Sequence, residues 1–287
     1  MRYDNKNISN VLEKVFDNFN VKKIVQDLIG AGGKVFVVGG AVRDLLLDRP
    51  LKDLDIEIHN LSQDKVINIL KKHGKVDFVG NVFGVFKIKG LDVDWSLPRK
   101  DEAGRKPKVS IDTQMDIKQA LVRRDLTMNA MAIDFETGKL IDPFGGQKDI
   151  KDKILSAPDK KFFVEDPLRF FRVMQFVGRF EMLPNKELDE ICKKMDLTGV
   201  SKERIEKEFE KLLLKSKRPS MAFEWLDKIG RLQELLPELA ATKDVEQNDD
   251  SHPEGDVFAH IMQVLDAAAK FDYESPEQKL IVIYAAL

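Results

Sequence analysis

One cysteine in 287 residues, Cys192, leaves no partner for an internal disulfide and fits a chain working in a reducing cytoplasm. It is expected as a small apolar residue, buried or half-buried on a helix. No apolar run approaches the ~20 residues needed to span a bilayer. The N-terminal stretch carries Asp4, Glu13 and Asp17 among its apolar positions, against the pattern of a secretory signal. Excess charge is also absent: 47 Lys and Arg face 49 Asp and Glu, for a formal net charge of −2. A nucleic-acid partner would have to be met by local basic patches, because the overall field attracts none. Neither an internal repeat nor a low-complexity segment interrupts the chain. What remains is a globular composition, 43% hydrophobic and 33% charged, long enough for two or three domains and a substantial core.

The pattern changes character along the chain. Residues 8–30 read as one amphipathic helix, with Ile8, Val11, Leu12, Val15, Phe16 and Phe19 at helical spacing. From Lys34 to about Ser156, β-rich runs (VFVV, DIEI, KVDFV, VFKIK, LDVDW, MAID) alternate with short helices, which predicts a mixed α/β domain. The polar, basic segment from Pro98 to Thr113 shows no apolar period and reads as a mobile loop. After Pro158 strand signals vanish, and helices are expected near 166–180, 185–196, 201–215, 218–229 and 256–270. The division is therefore placed at 1–157 for an α/β catalytic head and 158–245 for an all-α neck and body. Residues 246–287 make a third, incomplete helical piece.

Val35-Phe-Val-Val-Gly-Gly-Ala-Val-Arg-Asp44 and Asp53-Leu-Asp55 carry the clearest chemistry. An apolar strand ends in Gly39 and Gly40, a helix begins, and two carboxylates follow on what reads as a second strand. Strand side chains alternate with a period of two, so Asp53 and Asp55 point the same way. Such a pair can hold a hard divalent cation such as Mg²⁺ through oxygen. Paired glycines let backbone N–H groups come close to a phosphate, and the helix start adds favourable partial charge. A phosphate seat beside a metal pair is equipment for moving a nucleotidyl group.

The string GGAVRDLLLDRPLKDLDIEI resembles the nucleotidyltransferase superfamily that includes DNA polymerase beta. Within it, the match is to class II bacterial tRNA nucleotidyltransferases (CCA-adding) and poly(A) polymerases. The resemblance implies a polymerase-beta-like mixed sheet with helices, followed by an all-α neck and body. It places Gly39, Gly40, Arg43 and Arg124 on the nucleotide, with metal on Asp53 and Asp55. The family also has a third acidic residue on a neighbouring strand; Asp92 and Asp94 share one face there, and alignment to Ser-Leu-Pro-Arg99 favours Asp94.

Arg123-Arg-Asp-Leu-Thr-Met-Asn-Ala-Met-Ala132 resembles the family's RRDFTINAMA segment. Adjacent guanidiniums suit a triphosphate because their donors form planar forks. Asp125 is a candidate cap, and Asn129, polar in an apolar stretch, is expected to bond backbone or sugar. Asp142 to Gly146 (DPFGG) reads as a turn closing the catalytic domain.

In Glu165-Asp-Pro-Leu-Arg-Phe-Phe-Arg172, Asp166 can cap a helix that Pro167 opens, with Arg169 and Arg172 following at steps of three. A carboxylate only accepts and a guanidinium only donates. Cytosine and adenine both show an amino donor beside a ring-nitrogen acceptor, so one Asp/Arg pair suits both and mispairs uracil and guanine. That is the template role the family assigns to its EDxxR motif. Gln175 stands where the family often has a further arginine. Ser201-Lys-Glu-Arg-Ile-Glu resembles another family segment, whose Arg204 and Glu206 read as helix support. His252 to His260 with the apolar end resembles the opening of an HD-type phosphohydrolase domain. The chain ends before any His-Asp doublet, as a truncated chain would, and hydrolase activity is not expected of it.

The resemblance implies template-independent addition of C and A from CTP and ATP to the tRNA 3′ end, in the cytoplasm, with Mg²⁺. Poly(A) synthesis and CC-only or A-only addition share the same head, although VFGVFKIK lacks the arginines of the poly(A) branch. A silent tRNA-binding module and a hydrolase fragment are the alternatives of another class. Arg99, Arg105, Lys106, Lys215 and Arg218 are weaker candidates for the RNA backbone.

Overall fold

The computed structural model describes residues 12, 13, 15, 16, 20–51, 53–79, 84–101, 109–248 and 253–287. The chain forms two compact units. The first comprises Met1–Asp149 with Ala157–Phe162, and the second Ile150–Ser156 with Phe163–Leu287. Among the described residues no helix is long and apolar enough to cross a membrane.

The first unit is built on a seven-stranded sheet of β1 (Lys34–Val38), β2 (Leu54–His59), β3 (Val76–Val79), β4 (Val85–Ile88), β5 (Val93–Ser96), β8 (Ala132–Asp134) and β9 (Leu140–Ile141). Their spatial order is β3-β4-β5-β2-β1-β8-β9. Only the β2–β5 pair is parallel. All six β-rich runs read from the sequence are strands of this sheet. The reason is local, since β-branched and aromatic residues pack well on a pleated surface. Helix Lys22–Gly30 buries Ile24, Val25 and Leu28 and packs against β1 and helix Gln63–Leu70. Toward the other edge, Phe36, Val38, Leu121, Ala130 and Ala132 make a buried cluster, covered by Ile117, Ile141 and Phe144.

Two expectations change here. The helix expected over 8–30 is interrupted: Asn20 has φ 51°, and a new helix starts at Lys22. A left-handed residue cannot continue a right-handed helix, and asparagine tolerates that conformation better than most. The segment expected as a mobile loop carries a short strand at each of its described ends. β6 (Arg99–Asp101) pairs antiparallel with β7 (Val109–Ile111), and Arg99 stands opposite Ile111. Strand pairing across residues distant in sequence is what the polar composition of these ends hid. Residues 102–108, with Arg105 and Lys106, lie outside the described residues.

The second unit is helical, as expected. Helix Leu168–Phe180 packs against helices Lys202–Lys215 and Ser220–Lys228. Its apolar face carries Phe170 and Phe171, with ring centroids 5.3 Å apart, and Trp225 stands 5.5 Å from Phe170. Cys192 is fully buried on helix Lys186–Lys194, where burial pushes its thiol far up. One short strand does occur after Pro158: β11 (Leu183–Pro184) runs parallel to β10 (Ile154–Leu155), which precedes that residue. Two residues are too short a run to show a period in sequence.

Gly146 is a packing constraint in the first unit. A Cβ there would lie 2.3 Å from the Thr127 carbonyl oxygen and 2.9 Å from Met131 Sδ. Backbone cannot yield as a side-chain tip does, and overpacking costs about 1–3 kcal/mol. Gly146→Ala is therefore expected to lower the denaturation midpoint clearly. Gly30→Ala, where nothing lies within 4 Å, should leave it nearly unchanged.

Candidate active site

Along β2 the residues alternate between two environments. Leu54, Ile56 and Ile58 are fully buried in the core. Asp55, Glu57 and His59 share the opposite face, and exposed Asp53 immediately precedes the strand. Across the parallel pairing, Asp55 stands beside Asp94. Asp94, which the sequence favoured, is the carboxylate on β5 next to Asp55, while Asp92 precedes the strand and is exposed. On the far side of β5, Lys87 Nζ lies 2.7 Å from Asp94 Oδ1.

This crowding has an electrostatic consequence. Burial first, and then the negative charges of Asp94, Asp53 and Glu57, push the Asp55 carboxyl above its usual range, with Arg124 opposing them. Glu57 goes the other way. Burial would raise it, but the His59 hydrogen bond and the charges of Arg124, His59 and Arg99 together bring it below its ordinary value.

Gly39 ends β1 with φ 70°, a conformation open to glycine at little cost. Its missing side chain is occupied: a Cβ there would lie 2.5 Å from Arg124 Nη1 and 3.3 Å from Asp55 Oδ2. At Gly40 a Cβ would lie 3.3 Å from Arg43 Nη2. The two glycines thus let two guanidiniums and a carboxylate close on the strand end. Arg43 itself is buried and engaged within the protein. Its Nε and Nη2 donate to the two Asp44 oxygens, each at 2.9 Å, and Nη1 donates to Asn129 Oδ1 at 2.7 Å. Asn129 Nδ2 in turn donates to Asp125 Oδ1 at 2.9 Å, which also accepts from the Leu126 N–H. Asn129 is thus held by the side chains of Arg43 and Asp125, and the network ties the glycine turn to the RRD segment. Of the two arginines there, Arg124 faces Gly39 and Glu57, whereas Arg123 stacks 4.9 Å above the Phe162 ring.

In the second unit, Asp166 Oδ1 accepts from the Leu168 N–H at 3.1 Å, holding the start of helix Leu168–Phe180. Arg204 Nη2 lies 3.3 Å from Asp166 Oδ2. Arg204, read from sequence as helix support, is thus a direct partner of the candidate template carboxylate. Arg169 and Arg172 are half-buried on the same helix, and the Arg172 guanidinium lies 5.3 Å from the Phe176 ring centroid. Gln175 is buried, because each step of three residues turns the face by about 60° and carries that position into the core. Of the weaker RNA candidates, Arg99 and Lys215 are exposed, and Arg218 Nε lies 3.4 Å from Asp266 Oδ2.

Among the described residues no three His, Cys, Asp or Glu side chains converge as a ready-made metal cage. The donors at β2 and β5 nevertheless suit a hard cation: they are all carboxylates, and their mutual repulsion at Asp55 is what a divalent charge would relieve. Three residues escaped the sequence reading, namely Glu57, His59 and Lys87. For the first two the signal was present, since both continue the period-two face of Asp53 and Asp55.

A raised carboxyl is a stability liability. With its folded value above the unfolded one, Asp55 weakens the fold when ionised, and that penalty disappears as pH falls through the carboxylate range. Asp55→Asn is expected to melt above the parent protein at neutral pH without metal. The gap should close on acidification; melting curves at several pH values check it.

Residues 35–156 match the family of the poly A polymerase head domain, and residues 190–243 match the probable RNA and SrmB-binding site of polymerase A. The Multifunctional CCA protein of Mannheimia succiniciproducens is 34% identical over 265 residues, 88% of this chain and 61% of that protein. That of Neisseria meningitidis serogroup A is 36% identical over 262 residues, 88% of this chain and 60% of its own. The chain thus spans about three fifths of the length of these curated relatives. Among solved structures, the Bacillus stearothermophilus CCA-adding enzyme in complex with CTP is similar with a TM-score of 0.68 and 28% identity, over 92% of this chain and 68% of that one. With the strand-end glycines, the paired carboxylates and the RRD segment gathered around one sheet, residues 35–156 carry the poly A polymerase head domain.

Proposed function

We propose that this chain is a tRNA nucleotidyltransferase that adds C and A, from CTP and ATP, to the tRNA 3′ end. The observation that carries this reading is the juxtaposition of Asp55 and Asp94 beside the Gly39–Arg124 contact. In the reaction, the 3′-hydroxyl oxygen attacks the α-phosphorus, the bond to the β-phosphate bridge breaks, and pyrophosphate leaves. Magnesium on Asp53 and Asp55 would lower the hydroxyl pKa and neutralise phosphate charge. Asp94 adds a third carboxylate to that face. Gly39 and Gly40 let the chain approach the triphosphate, and Arg124 pairs with its oxygens. Arg43, with its donors engaged by Asp44 and Asn129, frames the seat.

Base choice falls to Asp166 and Arg169, with Arg172 beside them on the helix. The names of similar proteins support these substrates: Multifunctional CCA proteins among the curated relatives, and a CCA-adding enzyme solved with CTP. Arg99, Arg105, Lys106, Lys215 and Arg218 are candidates for the RNA backbone. We read residues 1–157 as the catalytic head, 158–245 as the neck and body, and 246–287 as the start of an HD-like domain. A lone buried thiol suits a cytoplasmic setting.

The test is incorporation of labelled CTP and ATP with Mg²⁺. The acceptors are tRNA lacking its terminal trinucleotide, tRNA lacking only the last A, and an unrelated RNA. Addition of three nucleotides, of one, and of none is expected in that order. Open-ended incorporation of A on all three would assign poly(A) synthesis, and no incorporation would remove the reading. Asp166→Ala should erode discrimination against UTP and GTP by about ten- to a hundredfold, the cost of an unpaired buried polar group. Unchanged selectivity would take the template role from Asp166.

A further inference from the structure

We infer that Glu57 is a positioning residue for Arg124, and that His59 braces it from behind. The inference rests on the reading that Arg124 binds the triphosphate, and adds a specificity of geometry that neither the glycine turn nor the metal pair supplies.

Glu57 follows Asp55 by two residues on the same face of β2, but its surroundings differ. Its Oε2 lies 3.7 Å from Arg124 Nη2, and its Oε1 lies 2.9 Å from His59 Nε2. The other His59 nitrogen, Nδ1, lies 2.8 Å from the Met115 carbonyl oxygen. Both ring nitrogens therefore face oxygen atoms, which hold the imidazole from two sides. Glu57 and His59 are buried, and Phe36 packs against the imidazole at 5.2 Å, nearly edge-on. Arg99 is the third positive charge acting on Glu57. The chain of contacts runs Met115 carbonyl, His59, Glu57, Arg124, Gly39. Each link is held on both sides.

Two carboxylates compete for the Arg124 guanidinium. Gly39 brings it close to Asp55, whose charge it also feels. Collapse onto Asp55 would occupy the metal-holding carboxylate and withdraw the fork from the triphosphate. Glu57 supplies an alternative anchor two residues farther along the strand, so Arg124 is kept beside the metal pair and off it. Holding a long side chain in its working rotamer also removes an ordering cost from nucleotide binding.

The test is a double-mutant cycle on CTP binding by the full chain, read by calorimetry, with Glu57→Gln, Arg124→Ala and the pair. Arg124→Ala is expected to weaken CTP about tenfold or more, the size of a lost charge-assisted hydrogen bond. Glu57→Gln should cost several-fold in the parent background and nothing further in Arg124→Ala. At saturating CTP and Mg²⁺ its kcat should stay near the parent value while KM rises. Losses that multiply in the double variant, or unchanged CTP binding in Glu57→Gln, overturn the inference alone. Unchanged binding in Arg124→Ala overturns both it and the triphosphate role of Arg124. His59→Gln, which keeps Glu57 charged but loosens it, gives an independent reading should Glu57→Gln not fold. A smaller loss, again absent in the Arg124→Ala background, is expected, and an additive loss overturns the proposal.

Discussion

Charge balance on one face of β2 is the constraint on which the site depends. Asp55 and Glu57 project from successive outward positions of a strand whose other face is core, with Asp94 alongside. Carboxylates so placed repel, and the fold answers them unequally. Glu57 is surrounded by His59, Arg124 and Arg99 and is stabilised as the anion. Asp55 has Arg124 nearby but remains undercompensated. The face is thus divided into a half around Glu57 whose charge is compensated and a half around Asp55 whose negative charge is not. Lys87 beside Asp94 shields the third carboxylate in the same manner.

Rigidity around that face comes from small residues and short hydrogen bonds more than from apolar bulk. Gly39 leaves room for the Arg124 guanidinium, and Gly146 packs against the Thr127 carbonyl with no space for a methyl group. Between them, Asp44, Arg43, Asn129 and Asp125 are linked in sequence by hydrogen bonds. Thr127 Oγ1 adds a 2.6 Å bond to Asp149 on helix Gly146–Asp152. Buried polar groups matched in this way favour one arrangement, because any slip strands a donor.

The helical unit separates packing from recognition on a single helix. Phe170, Phe171 and Trp225 secure the buried side of Leu168–Phe180. Arg231 lies over the Phe170 ring and donates to the Cys192 and Met195 carbonyls, fixing the end of the neighbouring helix. Asp166 at the helix start stays partly exposed, paired to Arg204 and to the Leu168 N–H. A half-exposed pair of this kind is worth little as stability, so its value lies in orienting the carboxylate.

Local pattern along the chain determined a good deal: six of the seven sheet strands, the five longer helices between 168 and 268, and the motif order that marks the family. Those signals are local, since a strand's alternation or a helix start is written in adjacent residues. The break at Asn20 and the pairing of β6 with β7 were not legible, because one depends on a single backbone angle and the other on contacts between polar segments with no apolar period. Within the site, Asp53, Asp55, Gly39 and Arg124 could be named from their motifs. Tertiary structure alone decided that Arg43 is engaged by Asp44 and Asn129, and that Arg204 reaches Asp166. It alone turned Glu57 and His59 from strand residues into the support of Arg124. Such roles arise from register and from contacts between residues far apart in sequence, which spacing along one chain does not encode.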